Sequence, residues 1–324
     1  MKYLLSIIAM ATALNAQAID NNTVEIVYNG STATVSIASN IQDYVAISSG
    51  TSSHVKIVQS ASFAGVDATT DNANGEIIYC LSGSSTDGEF YMEGSFKATV
   101  ELHGLTLANP SGPAINIQNG KRIDLSAKSG TVNTLTDGAN DTYNGCFHCK
   151  GHTELKGKGT LNIVGNSKHA LYSKEYIEIK NLTLNITGAT KDAIHCKEYF
   201  LMKSGTVNIS GAGDDGIQVE LDGTTSTGTT EDHDDEDSGN FYQTGGILTI
   251  SGYSGKAIKT DGSITFTGGT QNFDTADVTG IETATTATTS SATCYDLNGQ
   301  KHHTLGKGLY IFKEGNTTKK ILVK

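Results

Sequence analysis

Between residues 145 and 214, apolar and polar positions alternate with period two, break at a glycine or polar pair and alternate again. The whole pattern returns every 23 or 24 residues. Three copies stand in tandem: GCFHCKGHTELKGKGTLNIVGNSK, HALYSKEYIEIKNLTLNITGATK and DAIHCKEYFLMKSGTVNISGAGD. Their first apolar positions, with that of the segment that follows, are Phe147, Leu171, Ile194 and Ile217, spaced 24, 23 and 23 residues apart. In the copy from His169, Leu171, Ser173, Ile177, Ile179, Leu184 and Ile186 share one face, while Tyr172, Lys174, Glu178 and Asn185 share the other. Such alternation marks strands with one buried side. β-branched residues fill the runs and glycine closes most copies, which rules out a helical repeat. Two or three short strands per period predict an all-β solenoid, one parallel β-helix coil per copy.

The pattern continues on both sides. Upstream, residues 112–138 place Ile115, Ile117, Ile123, Leu125 and Val132 in matching roles; downstream, residues 256–273 do so with Ile258, Ile264 and Phe266. The step from Ile217 to Ile258 is 41 residues, and the excess is largely the polar, acidic segment 223–240, a loop leaving the solenoid. Loops of that length on a rigid scaffold often carry function. Residues 19–75 also alternate, as in Val24, Ile26 and Tyr28, and are expected to be a β-rich N-terminal region before the solenoid at 76–275. A threonine- and alanine-rich linker at 276–292 then leads to a small β module at 293–324. At the start, Lys2, an apolar run from Leu4 to Leu14 and the site Ala16-Gln17-Ala18 have the order of a signal peptide, residues 1–18, cut after Ala18. That run is too short to span a bilayer, so the expectation is an exported protein without a transmembrane segment.

Composition narrows the function. Glycine is frequent at 37 residues, proline rare at 2 and tryptophan absent, which suits short strands joined by tight turns. A net charge of −11 with no basic stripe excludes nucleic acid as a partner. Cys146 and Cys149 form a CxxC, a pairing that can mark zinc or redox chemistry, but no second CxxC accompanies it. The repeat places Cys149, Ser173, Cys196, Val219 and Thr260 two residues after successive anchors, on the inward side. Cys149 and Cys196 are therefore expected to be core residues two coils apart, too far for a disulfide.

Residues 76–138, EIIYCLSGSS through SGTVNTLTDG, followed by DAIHCK, DDGIQVE and GTVNISG, resemble a family of exported bacterial carbohydrate-binding β-helix proteins related in fold to pectate lyases. The likeness lies in motif order over residues 76–273. It implies a right-handed parallel β-helix that binds calcium and extended polysaccharide such as cellulose or pectic material. The end module, in YDLNGQ, GLYI and KKILVK, resembles the C-terminal sorting tail of Bacteroidetes type IX secretion, which implies an extracellular or outer-surface location.

Three groups of residues are candidates for chemistry. The first is acidic: Asp192, Asp214, Asp215 and Asp222, then Asp232, Asp234, Asp235 and Asp237 in the loop. Calcium takes six to eight hard oxygens, and stacked coils beside an acidic loop can supply several, with Asp192 and Asp215 one coil apart. A solvated acidic loop is the competing reading. The second group is ring-bearing: His148, Tyr172, His195 and Gln218 one residue after each anchor, and His152, Tyr176 and Tyr199 five after it. These outward columns suit a polymer whose sugar rings lie flat on apolar faces, although stacked rings also stabilise sheets. A third column, Asn133, Asn162, Asn185, Asn208 and Asn272, has the same two readings. The third group concerns catalysis. A calcium-dependent lyase acting by β-elimination needs an arginine or lysine base; the sole arginine, Arg122, is distant in sequence from the acidic cluster, leaving Lys197, Lys256 and Lys259. Binding without catalysis, lyase activity and a purely structural or adhesive surface role are the three functions in play.

Overall fold

The structure is a computed structural model that describes residues 19–63, 75–223, 236–274, 277–283, 293–302, 307–314 and 317–323. The expected signal peptide and Asp232, Asp234 and Asp235 of the acidic loop lie outside the described residues. Among the described residues every regular element is a strand. The repeat becomes coils as expected: one consists of His169–Ser173, Ile177–Ile179 and Thr183–Ala189, the next of Ile194–Lys197, Tyr199–Met202 and Thr206–Ile209. Each strand pairs in parallel with its equivalent one coil on, so the anchors Ile115, Phe147, Leu171, Ile194, Ile217 and Ile258 form one continuous column. The chain is a parallel β-helix.

Three parallel ladders run along it, each with its own surface chemistry. The first bears Lys56, Tyr91, Asn116, His148, Tyr172, His195, Gln218 and Lys259 in register. The second bears Thr99, Asp124, Glu154, Glu178, Leu201 and Tyr242. The third is uncharged, with Thr134, Asn162, Asn185, Asn208, Thr249 and Asn272. The long strands Ile77–Ser85 and Ile258–Phe266 each pair in more than one ladder and tie the ladders together at the two ends. Inside, equivalent residues stack: Ile177, Phe200, Phe241 and Ile264 are buried in one column, with the Phe200 and Phe241 rings 5.0 Å apart and nearly parallel. Burying each such side chain is worth about 1.5–3 kcal/mol. Close coil stacking also restricts corners: Gly157 has φ +105°, and a Cβ there would lie 2.0 Å from the Ala127 carbonyl oxygen.

Cys146, Cys149 and Cys196 are buried and unbridged, with Cys149, Ser173, Cys196, Val219 and Thr260 in one register, so the CxxC is core packing. Two expectations need correction, at Val132–Asn133 and in the linker, and the packing of the N-terminal region becomes clear. Val132 is 62% exposed and Asn133 is buried; Thr134, not Asn133, stands in the column of Asn162. The Asn133 carboxamide is drawn inward because its oxygen accepts the backbone N–H groups of Gly104 and Leu105, both at 2.9 Å. Residues 19–63 are continuous with the solenoid: Thr23–Asn29 pairs in parallel with Ile77–Ser85 and antiparallel with Thr32–Ile37, while His54–Gln59 pairs in parallel with Glu89–Glu93. Part of the expected linker is strand, since Val278–Thr283 pairs with Ile258–Phe266 and with Thr317–Val323 of the end module.

Candidate functional site

The first ladder gathers most of the predicted ring-bearing residues, but it uses their flat faces itself. His148 stacks on Tyr172 with centroids 5.1 Å apart and planes 9° from parallel, and Tyr172 stacks on His195 at 5.5 Å. At the neighbouring corner His152 stacks on Tyr176 at 4.2 Å and Tyr176 on Tyr199 at 4.7 Å. Tyr176 and Tyr199 are only 3% and 1% exposed, closed in by Leu201 and Tyr242, and Tyr172 and His195 are also buried. A sugar ring cannot lie on faces already covered by the coils above and below. These columns form as expected, yet between Tyr172 and Tyr199 they are cross-coil packing. Gln218 remains partly open, its amide donating to Glu220 Oε1 at 2.7 Å.

Toward the N-terminal end the same ladder opens into a groove of roughly 440 Å³, lined by His54, Lys56, Glu89, Tyr91, Ser111 and Tyr143 among others. This is within the size range of small-molecule sites. Tyr91 is the ladder residue next to Asn116, and Asn116 is next to His148. The Tyr91 hydroxyl donates to Glu93 Oε1 at 2.6 Å, and Lys56 Nζ covers its ring at 4.5 Å. Tyr143 differs from every stacked ring: it meets His148 edge-on, at 5.2 Å and 61°, and is half-buried. Burial lowers the His148 pKa to about 4, so that imidazole is neutral at neutral pH. Asn116 Nδ2 donates to Glu89 Oε1 at 3.1 Å, which anchors a carboxylate at the groove wall. One turned ring and a polar rim on a rigid sheet, with the neutral His148 supporting the ring from behind, are parts a sugar site uses. A second groove of about 520 Å³ runs past Glu25, Cys80, Glu101, His103 and Lys128, and no tyrosine or phenylalanine lines it.

A family described as carbohydrate-binding domain-containing protein matches residues 65–311, well over half of the chain. The chain belongs to this carbohydrate-binding family. Its match covers the described coils from Ile77–Ser85 onward, including Tyr91, Tyr143 and the whole first ladder from Asn116. Among solved structures, this family member resembles a polysaccharide lyase-like protein from C. thermocellum, solved as a gadolinium derivative. The likeness has a TM-score of 0.57 and 19% identity, over 80% of this chain and 99% of that one. At that identity the likeness concerns the fold. No curated protein matches the chain.

Of the acidic candidates the structure gathers Asp192, Asp214 and Asp215, with one carboxylate oxygen of each within 4.8 Å of the others, and leaves Asp222 and Asp237 apart from them. Asp192 Oδ1 accepts the Asp215 backbone N–H at 3.0 Å, and Asp215 Oδ1 accepts the Lys256 backbone N–H at 2.7 Å, so each carboxylate staples its coil to the next. The other oxygen of Asp192 faces His169 and His195, and that of Asp215 faces Lys259 Nζ at 3.2 Å. Only Asp214 of the three is exposed. Asp222 and Asp237 stand past the far end of strand Ile217–Glu220 from Asp215; there Asp237 Oδ1 accepts the Asp222 N–H and Asp222 pairs with Lys197. The described part of the acidic loop therefore does not join Asp192 and Asp215, because a strand's length separates them. Burial would raise the Asp192 pKa, but His169, His195 and the Asp215 amide hold it well below the carboxylate range.

All three lysine candidates are ion-paired, Lys197 with Asp222 at 3.1 Å, Lys256 with Asp277 at 2.7 Å and Lys259 with Asp215. For Lys259 the Asp215 contact raises the pKa; for Lys197 burial works against the charge but Asp222 outweighs it. Both shifts run opposite to what a neutral base requires. Arg122 is enclosed by Glu76, Asp124 and Glu154 on the second ladder, and these carboxylates likewise raise its pKa against the effect of burial.

Tyr91 and Tyr143 were the residues missed by sequence reasoning. Tyr91 had a signal: it follows Phe90, which pairs with Ile115, so extending the anchor column one coil upstream would have found it and Asn116. Tyr143 lies in a turn insertion outside any column, and no periodicity reveals it.

Proposed function

We propose that this protein holds extended polysaccharide in the groove between Tyr91 and Tyr143 and does not cut it. The observation that carries the reading is Tyr143, a half-buried ring turned out of the stacked ladder, beside the neutral His148 and the polar groups of Glu89, His54 and Ser111. Family membership supports carbohydrate as the ligand class, and cellulose- or pectin-like chains are the candidates within it. The absence of cutting rests on the ion pairs that engage Lys197, Lys256, Lys259 and Arg122, each turned toward a carboxylate of its own. Action outside the cell, with the end module serving in export or retention, completes the proposal.

Retention on insoluble cellulose and on immobilised polygalacturonate tests it, alongside ultraviolet detection of unsaturated product. Tyr143→Ala is expected to weaken retention about tenfold or more, the equivalent of ~1.5–3 kcal/mol of lost ring contact, with an unchanged melting temperature. Retention undiminished in Tyr143→Ala would move the site elsewhere, and unsaturated product from the wild type would establish a lyase.

A further inference from the structure

We infer that His169, His195 and Asp192 form a site for a divalent transition-metal ion of zinc type. Calcium, which the sequence resemblance suggests, does not fit these residues. Two of the three donor atoms are imidazole nitrogens, and both face the one carboxylate oxygen, Asp192 Oδ2, that no backbone amide holds. Calcium takes oxygen ligands, whereas imidazole with carboxylate suits zinc, copper or nickel.

The three donors are already in place. His169 Nδ1 lies 3.2 Å and His195 Nδ1 2.9 Å from the same atom, Asp192 Oδ2, and all three lie within 4.8 Å of one another. In a tetrahedral zinc site with bonds of about 2.0–2.2 Å, adjacent donors stand about 3.3 Å apart. The two nitrogen-to-carboxylate spacings are thus already close to that of a zinc site, and an ion would enter by drawing the two imidazoles, whose ring centroids are 4.4 Å apart, toward it. All three residues are buried, and His169, 7% exposed, has no aligned hydrogen-bond partner at Nδ1 although that atom points into the cluster. A buried ring nitrogen without a partner is costly unless something takes its lone pair or proton.

The surrounding groups have the character of an outer shell. His195 Nε2 faces Glu220 Oε2 at 3.4 Å, so the imidazole can bind metal through Nδ1 and donate its Nε2 proton to a carboxylate. Asp192 Oδ1 is fixed by the Asp215 amide, which leaves Oδ2 as the metal-facing oxygen. His169 belongs to one coil and Asp192 with His195 to the next, with the two imidazoles 4.4 Å apart. Three protein ligands leave a fourth position for water. The site is separate from the Tyr143 groove, and either can hold or fail without the other.

The test uses the full chain prepared without a histidine tag and stripped with chelator. Titration calorimetry with zinc chloride is expected to give one equivalent bound, with calcium in large excess unable to compete. Glu220→Gln should weaken zinc about 10–100-fold, and His169→Gln or His195→Gln by more than that. No zinc bound by the wild type, or unchanged affinity in both histidine variants, overturns the site; the latter would redirect attention to the Cys80, Glu101 and His103 cluster. Should the variants lose their fold by circular dichroism, histidine nitrogen NMR of the wild type decides. One equivalent of zinc must shift the ring signals of two histidines, and failure to shift them refutes the proposal.

Discussion

Replacing Tyr199 by alanine separates structural rings from binding rings. Tyr199 is 1% exposed, stacks on Tyr176 at 4.7 Å and closes a small cluster with Leu201 and Tyr242 outside the main core. Truncating a buried aromatic ring costs about 3–5 kcal/mol, through lost transfer energy and the cavity left behind. The upper half of that range is expected here, because the ring also supports Tyr176, on which His152 rests at 4.2 Å. For a domain of this size each kcal/mol moves the melting temperature by about 2–4 °C, so the drop should be roughly 8–20 °C. Thermal melting by circular dichroism would be run beside polysaccharide retention measured well below the new melting point. The expected result is a large thermal loss with retention intact. A variant that melted like the wild type but no longer held polysaccharide would refute the assignment of this ladder to packing and restore it as a sugar-binding face.

Three further outcomes follow from charges and buried groups. Burial alone would lower the His152 pKa, but Glu175 at 2.9 Å and Glu198 at 3.4 Å reverse this and raise it to about 9. Because the folded value exceeds the unfolded one of about 6.5, the contribution, on the order of 3 kcal/mol, is complete below pH ~6.5 and fades as pH rises through 9. Denaturant melts between pH 6 and 10 should show this loss, and His152→Gln should flatten it. Burial raises Asp137 to about 6 even though it accepts the Asn166 N–H, and its Oδ2 has no partner, so the native state loses stability as pH rises from about 4 through 6. Asp137→Asn should accordingly raise the melting temperature at pH 7 but not at pH 4. Finally, calcium or a calcium-selective chelator should leave the melting temperature unchanged, since a backbone amide holds one oxygen of each of Asp192 and Asp215 while Lys259 and two histidines face the others; a rise of several degrees with calcium would show that those contacts give way to the ion.

The period near 23 residues determined the β-helix by itself, because a strand's two-residue alternation assigns each side chain a face and a fixed repeat stacks like upon like. From Phe147 to Ile258 that reasoning placed the anchors, the inward cysteines and the ring columns in the register the structure has. It failed where insertions offset the phase, as at Asn133, and where pairing rather than composition decided the conformation, as at Val278–Thr283. Whether an outward residue is also exposed was beyond its reach. The coils above and below cover ring faces, and only tertiary geometry shows that Tyr176 and Tyr199 are shut in while Tyr143 is turned out. The same holds for the carboxylates. Spacing brought Asp192 and Asp215 together, but which amide, lysine or imidazole takes each oxygen depends on side-chain directions at the coil corners, and these made a calcium-like pair into a staple beside two histidines.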